Sequence, residues 1–321
     1  MSRKNLNVII KIPKLLKDKF NHKKINQIYR KFERSLNIKE NFIVSVSGGP
    51  DSLALAYLAK IYSIKNNLNV KFFIVDHKLR IESTREALTV KKVLKKYSIN
   101  AEILTWRGKK PVKNIQSTAR KKRFELLFAK CDKLKISNIL LGHHQDDLFE
   151  NFFIRMIRGS GLKGLISLDK KNKIQNKYLI RPLLDQKKDD LIFLSKHVFN
   201  FYVQDPTNKD QKYKRIQIRN LIKRLEKDGL DKNKFKKTIQ NLKNSNNTVE
   251  FYVKENLNKN TFFSQKKRQL ILSKDFFKQS GEVIFRSLSD SIRLIGNKHY
   301  SPRGRKLTKI TQDIENNKLF K

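Results

Sequence analysis

Residues 42–56 read Phe-Ile-Val-Ser-Val-Ser-Gly-Gly-Pro-Asp-Ser-Leu-Ala-Leu-Ala, a buried-strand pattern that turns through two glycines into an apolar helix. Gly48 and Gly49 let the backbone come close to a ligand, and the helix start offers free N–H groups and partial positive charge, a combination that suits phosphate. Ser47 and Ser52 add hydroxyl donors. A Walker loop would need a later Gly-Lys-Ser/Thr and a dinucleotide loop Gly-x-Gly-x-x-Gly, and neither pattern occurs. Asp51 sets this loop apart. A carboxylate there repels phosphate unless a cation bridges the two, so Mg²⁺ with a pyrophosphate group is the economical reading of Ser47, Gly48, Gly49, Pro50, Asp51 and Ser52. The plainer alternative is a strand-to-helix turn with Asp51 as its cap.

Working outward, Val70–Val75, Ala101–Trp106 and Ile136–Gly142 repeat the short apolar or β-branched run of Phe42–Ser47. Helical patterns at about Ser52–Ser63, Ser83–Tyr97, Ser117–Lys130 and Asp146–Arg158 separate them. That alternation predicts an α/β fold with a doubly wound parallel sheet, whose loops at 47–52, 76–80, 106–116 and 142–147 converge on one cleft. Upstream, Phe20, Ile25, Ile28, Tyr29, Phe32 and Leu36 take helical spacing, a lead-in over 1–38. The α/β domain spans 39–220, and strand signals fade after Arg219. A helical linker over 221–248 and a smaller, basic helical domain over 249–321 complete the chain.

Only 11 Gly and 6 Pro among 321 residues, with 38% hydrophobic residues, describe a folded chain with ample core material. Lys and Arg number 73 against 29 Asp and Glu, a net +44, which favours a polyanion such as nucleic acid as partner. Cys131 is the only cysteine, which leaves no intramolecular disulfide and no Cys-rich zinc site and fits a cytoplasmic setting. It lies in an apolar helix, where a thiol packs. The longest uninterrupted apolar run, Leu53–Ala59, is far short of a membrane span, so neither a membrane partner nor a signal peptide is expected.

A second cluster of chemistry-bearing residues is Leu141-Gly-His143-His144-Gln-Asp146-Asp147-Leu-Phe-Glu150-Asn151, at the end of the fourth strand. Asp147 and Glu150 are three apart and share a helix face. Paired carboxylates are poor company for ATP and good company for a cationic amine. The histidines could face phosphate or move protons. A metal site and a simple capped helix start are the competing readings.

The loop at 47–52 resembles that of the N-type ATP pyrophosphatase, or PP-loop, superfamily, whose members attach AMP to an oxygen, release pyrophosphate, and let a nucleophile displace AMP. Residues 141–151, followed by Arg158-Gly-Ser-Gly-Leu-Lys-Gly-Leu165, closely resemble the tRNA(Ile)-lysidine synthetase family. So do Val75-Asp76-His77-Lys78-Leu79-Arg80, Ala119-Arg120, Arg181-Pro182-Leu183-Leu184 and Asp205-Pro206-Thr207-Asn208 with Tyr213, Arg215 and Arg219. The likeness covers residues 40–220 and, more thinly, the region of Pro302-Arg303. It implies a ligase that adenylates the wobble cytidine of a CAU-anticodon tRNA(Ile) and joins free L-lysine to C2, with ATP and Mg²⁺ consumed or bound on the way.

By that resemblance residues 47–52 hold the ATP phosphates and Asp51 the Mg²⁺, while Val75 and His77 contact the adenosine. Arg120 and His143 assist at the phosphate end, Asp147 and Glu150 bind lysine, and Asp51, Arg120, His143 and Asp147 make up the catalytic set. Arg215, Arg219, Arg303 and Arg305 are the tRNA contacts. Leu148 and Asn151 depart from the family's usual residues without removing a charge. The length matches the short form of the family. A tRNA thiolase is the nearest rival within the superfamily, though one cysteine is too few for sulfur relay, and NAD or GMP synthetases do not need such a basic chain. A non-catalytic, nucleotide-regulated RNA-binding protein is the rival from another class, and it leaves Asp51, Asp147 and Glu150 without a purpose.

Overall fold

Along β1 (Phe42–Val46) the side chains alternate, sending Phe42, Val44 and Val46 into one apolar layer and Ile43 into a second. β2 (Val70–Asp76) repeats this, with Phe72 and Ile74 in the first layer and Phe73 in the second. A strand buried on both faces belongs to a parallel sheet covered by helices on each side. The computed structural model describes residues 12–108, 111, 114–204, 214–264, 266, 269–297, 302 and 304–316, and over these the expectation holds.

β1 pairs in parallel with β2 and with β4 (Asn138–Leu140), and β2 pairs with β3 (Ala101–Thr105). Two further strands, β5 (Lys171–Ile174) and β6 (Lys177–Ile180), extend the sheet to six in the order β3-β2-β1-β4-β6-β5, with β6 parallel to β4 and β5 antiparallel at the edge. The first layer takes Ile25, Ile28, Tyr29 and Phe32 from α2 (Lys23–Ser35), nearly the whole circumference of α3 (Pro50–Lys65), and faces of α4 (Ser83–Lys96) and α8 (Lys188–Phe199). The lead-in thus contributes side chains to the main core. Leu127 and Cys131 of α5 (Ile115–Leu134) close the second layer, where burial pushes the Cys131 thiol up to about 11. β1 and β4 are adjacent while the chain leaves β1 toward β2, so a switch point opens beyond their carboxyl ends.

The chain divides into two units. The described residues up to Ser160, together with Ser167–Asp228, form the first, which ends with α9 (Lys214–Lys227). Gly161–Ile166 joins the described residues from Gly229 onward in the second. The second unit holds α7 (Leu162–Leu165) and, packed around Phe276, Ile284, Leu288 and Leu307, the long α10 (Lys232–Asn260), α11 (Gly281–Ile295) and α12 (Gly304–Glu315). It also carries a hairpin, β7 (Thr261–Ser264) with β8 (Gln269–Leu272), which the helical expectation lacked. The Asn-rich segment at 244–248 lies inside α10.

Candidate active site

Gly48 carries φ +87°, and a Cβ there would stand 2.6 Å from Val90 Cγ2, so both its backbone angle and its surroundings call for glycine. Its carbonyl accepts a 2.9 Å hydrogen bond from the Val203 N–H. Ser52 Oγ closes the loop from inside: it accepts from the Ser47 N–H at 3.1 Å and donates to the Gly49 carbonyl at 3.0 Å. Pro50 opens α3, with Gly49 as N-cap and no side chain closing that end, so the first-turn N–H groups face the cleft. Across the switch point Gly142 lets the end of β4 approach this turn, since a Cβ there would come 3.2 Å from the Ser52 nitrogen.

That approach brings two carboxylates to one histidine. His144 caps α6 (Gln145–Ile157): its Nδ1 accepts from the Asp146 N–H at 3.2 Å, while its own N–H donates to Asp147 Oδ2 at 3.0 Å. With Nδ1 an acceptor, the ring proton belongs on Nε2, which lies 3.6 Å from Asp51 Oδ2 and 3.5 Å from Asp147 Oδ2. Burial raises the Asp51 carboxyl above its ordinary range, against the pull of His144 and of Lys188 in the first turn of α8, and its Oδ1 is buried without a partner. Burial also pushes Asp147 up, but His144, His143, the His144 N–H and Arg215 outweigh it and hold the carboxylate low.

His143 stands half-buried, with Nδ1 unpartnered, and burial among Arg181, Arg120 and Arg123 drives it down to about 3 despite Asp147, so it is neutral at pH 7. Arg120 and Arg123 both lie over the Phe124 ring, at 5.1 and 5.5 Å. Burial and repulsion from Arg120 hold Arg123 and Arg181 near 10. At the end of β2 Asp76 accepts from the Lys78 N–H, Ser83 Oγ and Thr84 Oγ1 at 2.9, 2.8 and 2.6 Å, which fixes the turn carrying His77. The His77 Nδ1 is buried and unpartnered, and Val75 packs against the second apolar layer.

Some expected residues are placed differently from their sequence reading. Glu150, 2% exposed, is paired with Arg219, whose Nε lies 2.5 Å from Oε1. Arg219, itself partly exposed, thus supplies the cation that a buried carboxylate needs. Arg215 is exposed. Arg303, Tyr213 and the segment 205–208 lie outside the described residues, as does the side chain of Arg305. The metal reading of His143-His144 has no support among the described residues, where no group of three or more His, Cys, Asp or Glu could hold an ion. Arg123, Arg181, Lys188 and Gly142 had no assigned role. A signal for Arg123 was present in its spacing of three from Arg120, which puts both on one helix face.

The family model for the PP-loop domain matches residues 17–225. The chain belongs to the PP-loop domain family. It is 40% identical over 180 residues to a tRNA(Ile)-lysidine synthase of Orientia tsutsugamushi, covering 56% of this chain and 41% of that protein. To a tRNA(Ile)-lysidine synthase of a Wolbachia from Brugia malayi it is 32% identical over 277 residues, or 84% of this chain and 63% of that one. The chain thus spans less than two thirds of these relatives. Among solved structures it shares the fold of the U34-tRNA thiolase NcsA from Methanococcus maripaludis, with a TM-score of 0.58 and 20% identity over 68% of this chain and 79% of that one. The Gly48 turn lies inside the stretch that the family model matches.

Proposed function

We propose that this PP-loop protein is a tRNA(Ile)-lysidine synthase, acting in the cytoplasm on the wobble cytidine of a CAU-anticodon tRNA(Ile). The observation that carries the reading is the meeting of Asp51, from the phosphate loop, and Asp147, from α6, on either side of His144 Nε2 at 3.6 and 3.5 Å. On this reading one carboxylate serves the nucleotide and the other an amine, close together as a two-step adenylation and substitution requires. Likeness to lysidine synthases over 84% of the chain supports the same substrates. No helix of the described residues is long and apolar enough to cross a membrane.

In the first step the cytidine O2 attacks the α-phosphorus of ATP and pyrophosphate leaves; in the second the lysine ε-amine attacks C2, the C–O bond breaks, and AMP departs with the electron pair. Ser47, Gly48, Gly49, Pro50 and Ser52 hold the phosphates, and Val75 and His77 line the adenosine side. Arg120 and His143 attend the phosphate being transferred. The buried, unpartnered Asp51 Oδ1 fits a cation, so Asp51 would hold Mg²⁺. Such an ion, when bound, neutralises the leaving pyrophosphate. Asp147 receives the lysine; Glu150, already neutralised by Arg219, shapes its pocket. The basic C-terminal unit, with Arg303 and Arg305, and the exposed Arg215 engage the RNA backbone.

Incubation with ATP, Mg²⁺, radiolabelled lysine and a CAU-anticodon tRNA(Ile) transcript should leave base-stable label on the RNA that disappears when the wobble cytidine is replaced by uridine. Failure to label would refute the reading. Asp147→Asn should raise the KM for lysine by about tenfold or more while moving the KM for ATP little, the loss of one charge-assisted contact; a shift confined to ATP would place Asp147 at the nucleotide.

A further inference from the structure

Arg181 follows β6, which pairs with β4 on the side away from β1. The end of β4, with His143, His144 and the start of α6, therefore stands between Arg181 and the phosphate loop. At ~4.8 Å per strand, the two lie about 10 Å apart across the sheet. Arg181 is 4% exposed, and both its hydrogen bonds leave from Nη1, to the Asp169 carbonyl at 2.7 Å and to Asn172 Oδ1. The guanidinium is thereby fixed in place, while its Nε is buried and has no partner. The charges of Arg120, Asp169 and Asp147 all act on it, and its own acts on His143.

A clamped guanidinium with an unused edge, beside a carboxylate held in its charged form, suits both ends of a zwitterion: the planar fork takes a carboxylate and the acid takes an ammonium. Lysine has two amines, and the one that attacks must be unprotonated. An amine gripped by Asp147 is held as an ammonium, so it cannot be the nucleophile. We propose that Arg181 receives the α-carboxylate of the amino-acid substrate beside an α-ammonium held by Asp147, which leaves the ε-amine free to reach the activated base. This rests on the ligase reading above and adds which end of the amino acid is gripped. A nucleotide phosphate is the rival oxyanion, because Arg120 and His143 act on the same neighbourhood, and the KM for ATP tells the two apart.

The test uses the full chain with ATP, Mg²⁺ and the CAU-anticodon transcript, and follows AMP release driven by L-lysine or by L-lysinamide, which lacks the negative charge. Wild type should prefer lysine by about 100-fold or more in kcat/KM, as a site built for a polar group rejects an analogue without it. Arg181→Gln should bring that ratio close to one, with the KM for ATP moving less than about twofold, and Arg181→Lys should fall between because it keeps charge but loses the fork. Equal use of lysine and lysinamide by wild type overturns the subsite, and that comparison needs no variant to fold. A raised KM for ATP in Arg181→Gln with the ratio intact assigns the residue to phosphate and also overturns it. If wild type transfers no lysine at all, the ligase reading fails first and takes this subsite with it.

Discussion

A Cβ on Gly142 would stand 3.2 Å from the Asp51 carbonyl carbon and from the Ser52 Cα and nitrogen, all backbone atoms that cannot rotate away. Gly142→Ala should therefore push the β4 end off the Gly48 turn at a stability loss of about 1–3 kcal/mol and, on the proposed ligase reading, lower tRNA-dependent pyrophosphate release by about tenfold or more. Pyrophosphate release at the wild-type rate would show that the two turns need not touch. His143 supplies a pH dependence. In an unfolded chain it binds a proton near pH 6.5, but in the fold burial holds it at about 3. Its contribution is thus fully present above about pH 6.5 and is lost as pH falls through the window below, because the unfolded state then binds more protons. Thermal melts at pH 7.5 and 5 should show a smaller drop in Tm for His143→Asn than for wild type. An equal drop would mean that another group carries the effect.

Among the elements, α2 shows how far a packed face outweighs position in the chain. Phe32 is fully buried beside Tyr29 and Tyr62, so Phe32→Ala should destabilise the protein by about 3–5 kcal/mol in denaturant unfolding. A loss under about 1 kcal/mol would detach α2 from the core. Its amphipathic spacing was visible in the sequence, as were β1 to β4 and the helices between them, because burial on one or both faces writes itself into apolar periodicity. The β5–β6 hairpin was not legible. Lys171-Asn-Lys-Ile and Lys177-Tyr-Leu-Ile are four residues each, and Lys177 is buried only because Asp132 of α5 pairs with it. In the site, Asp51, His143 and Asp147 could be found from residue type and spacing. The Glu150–Arg219 pair could not, since its partners are 69 residues apart and meet only when α9 packs on α6. Arg181 was visible in the motif Arg181-Pro182-Leu183-Leu184, but its relation to Asp147 was not, because that comes from a strand order that local sequence does not encode.

For the whole molecule the governing quantity is +44. Binding through many phosphate contacts releases counterions, so tRNA affinity should fall by about 100-fold or more between 50 and 200 mM salt. A flat response would remove the basic surface from recognition. Chain connectivity has a different consequence. Because Gly161–Ile166 belongs with the C-terminal unit, the polypeptide enters that unit, leaves it, and returns after Asp228. A cut between Asp228 and Gly229 would strip α10 of α7. A single genetic breakpoint at that place would therefore divide one unit instead of separating the two.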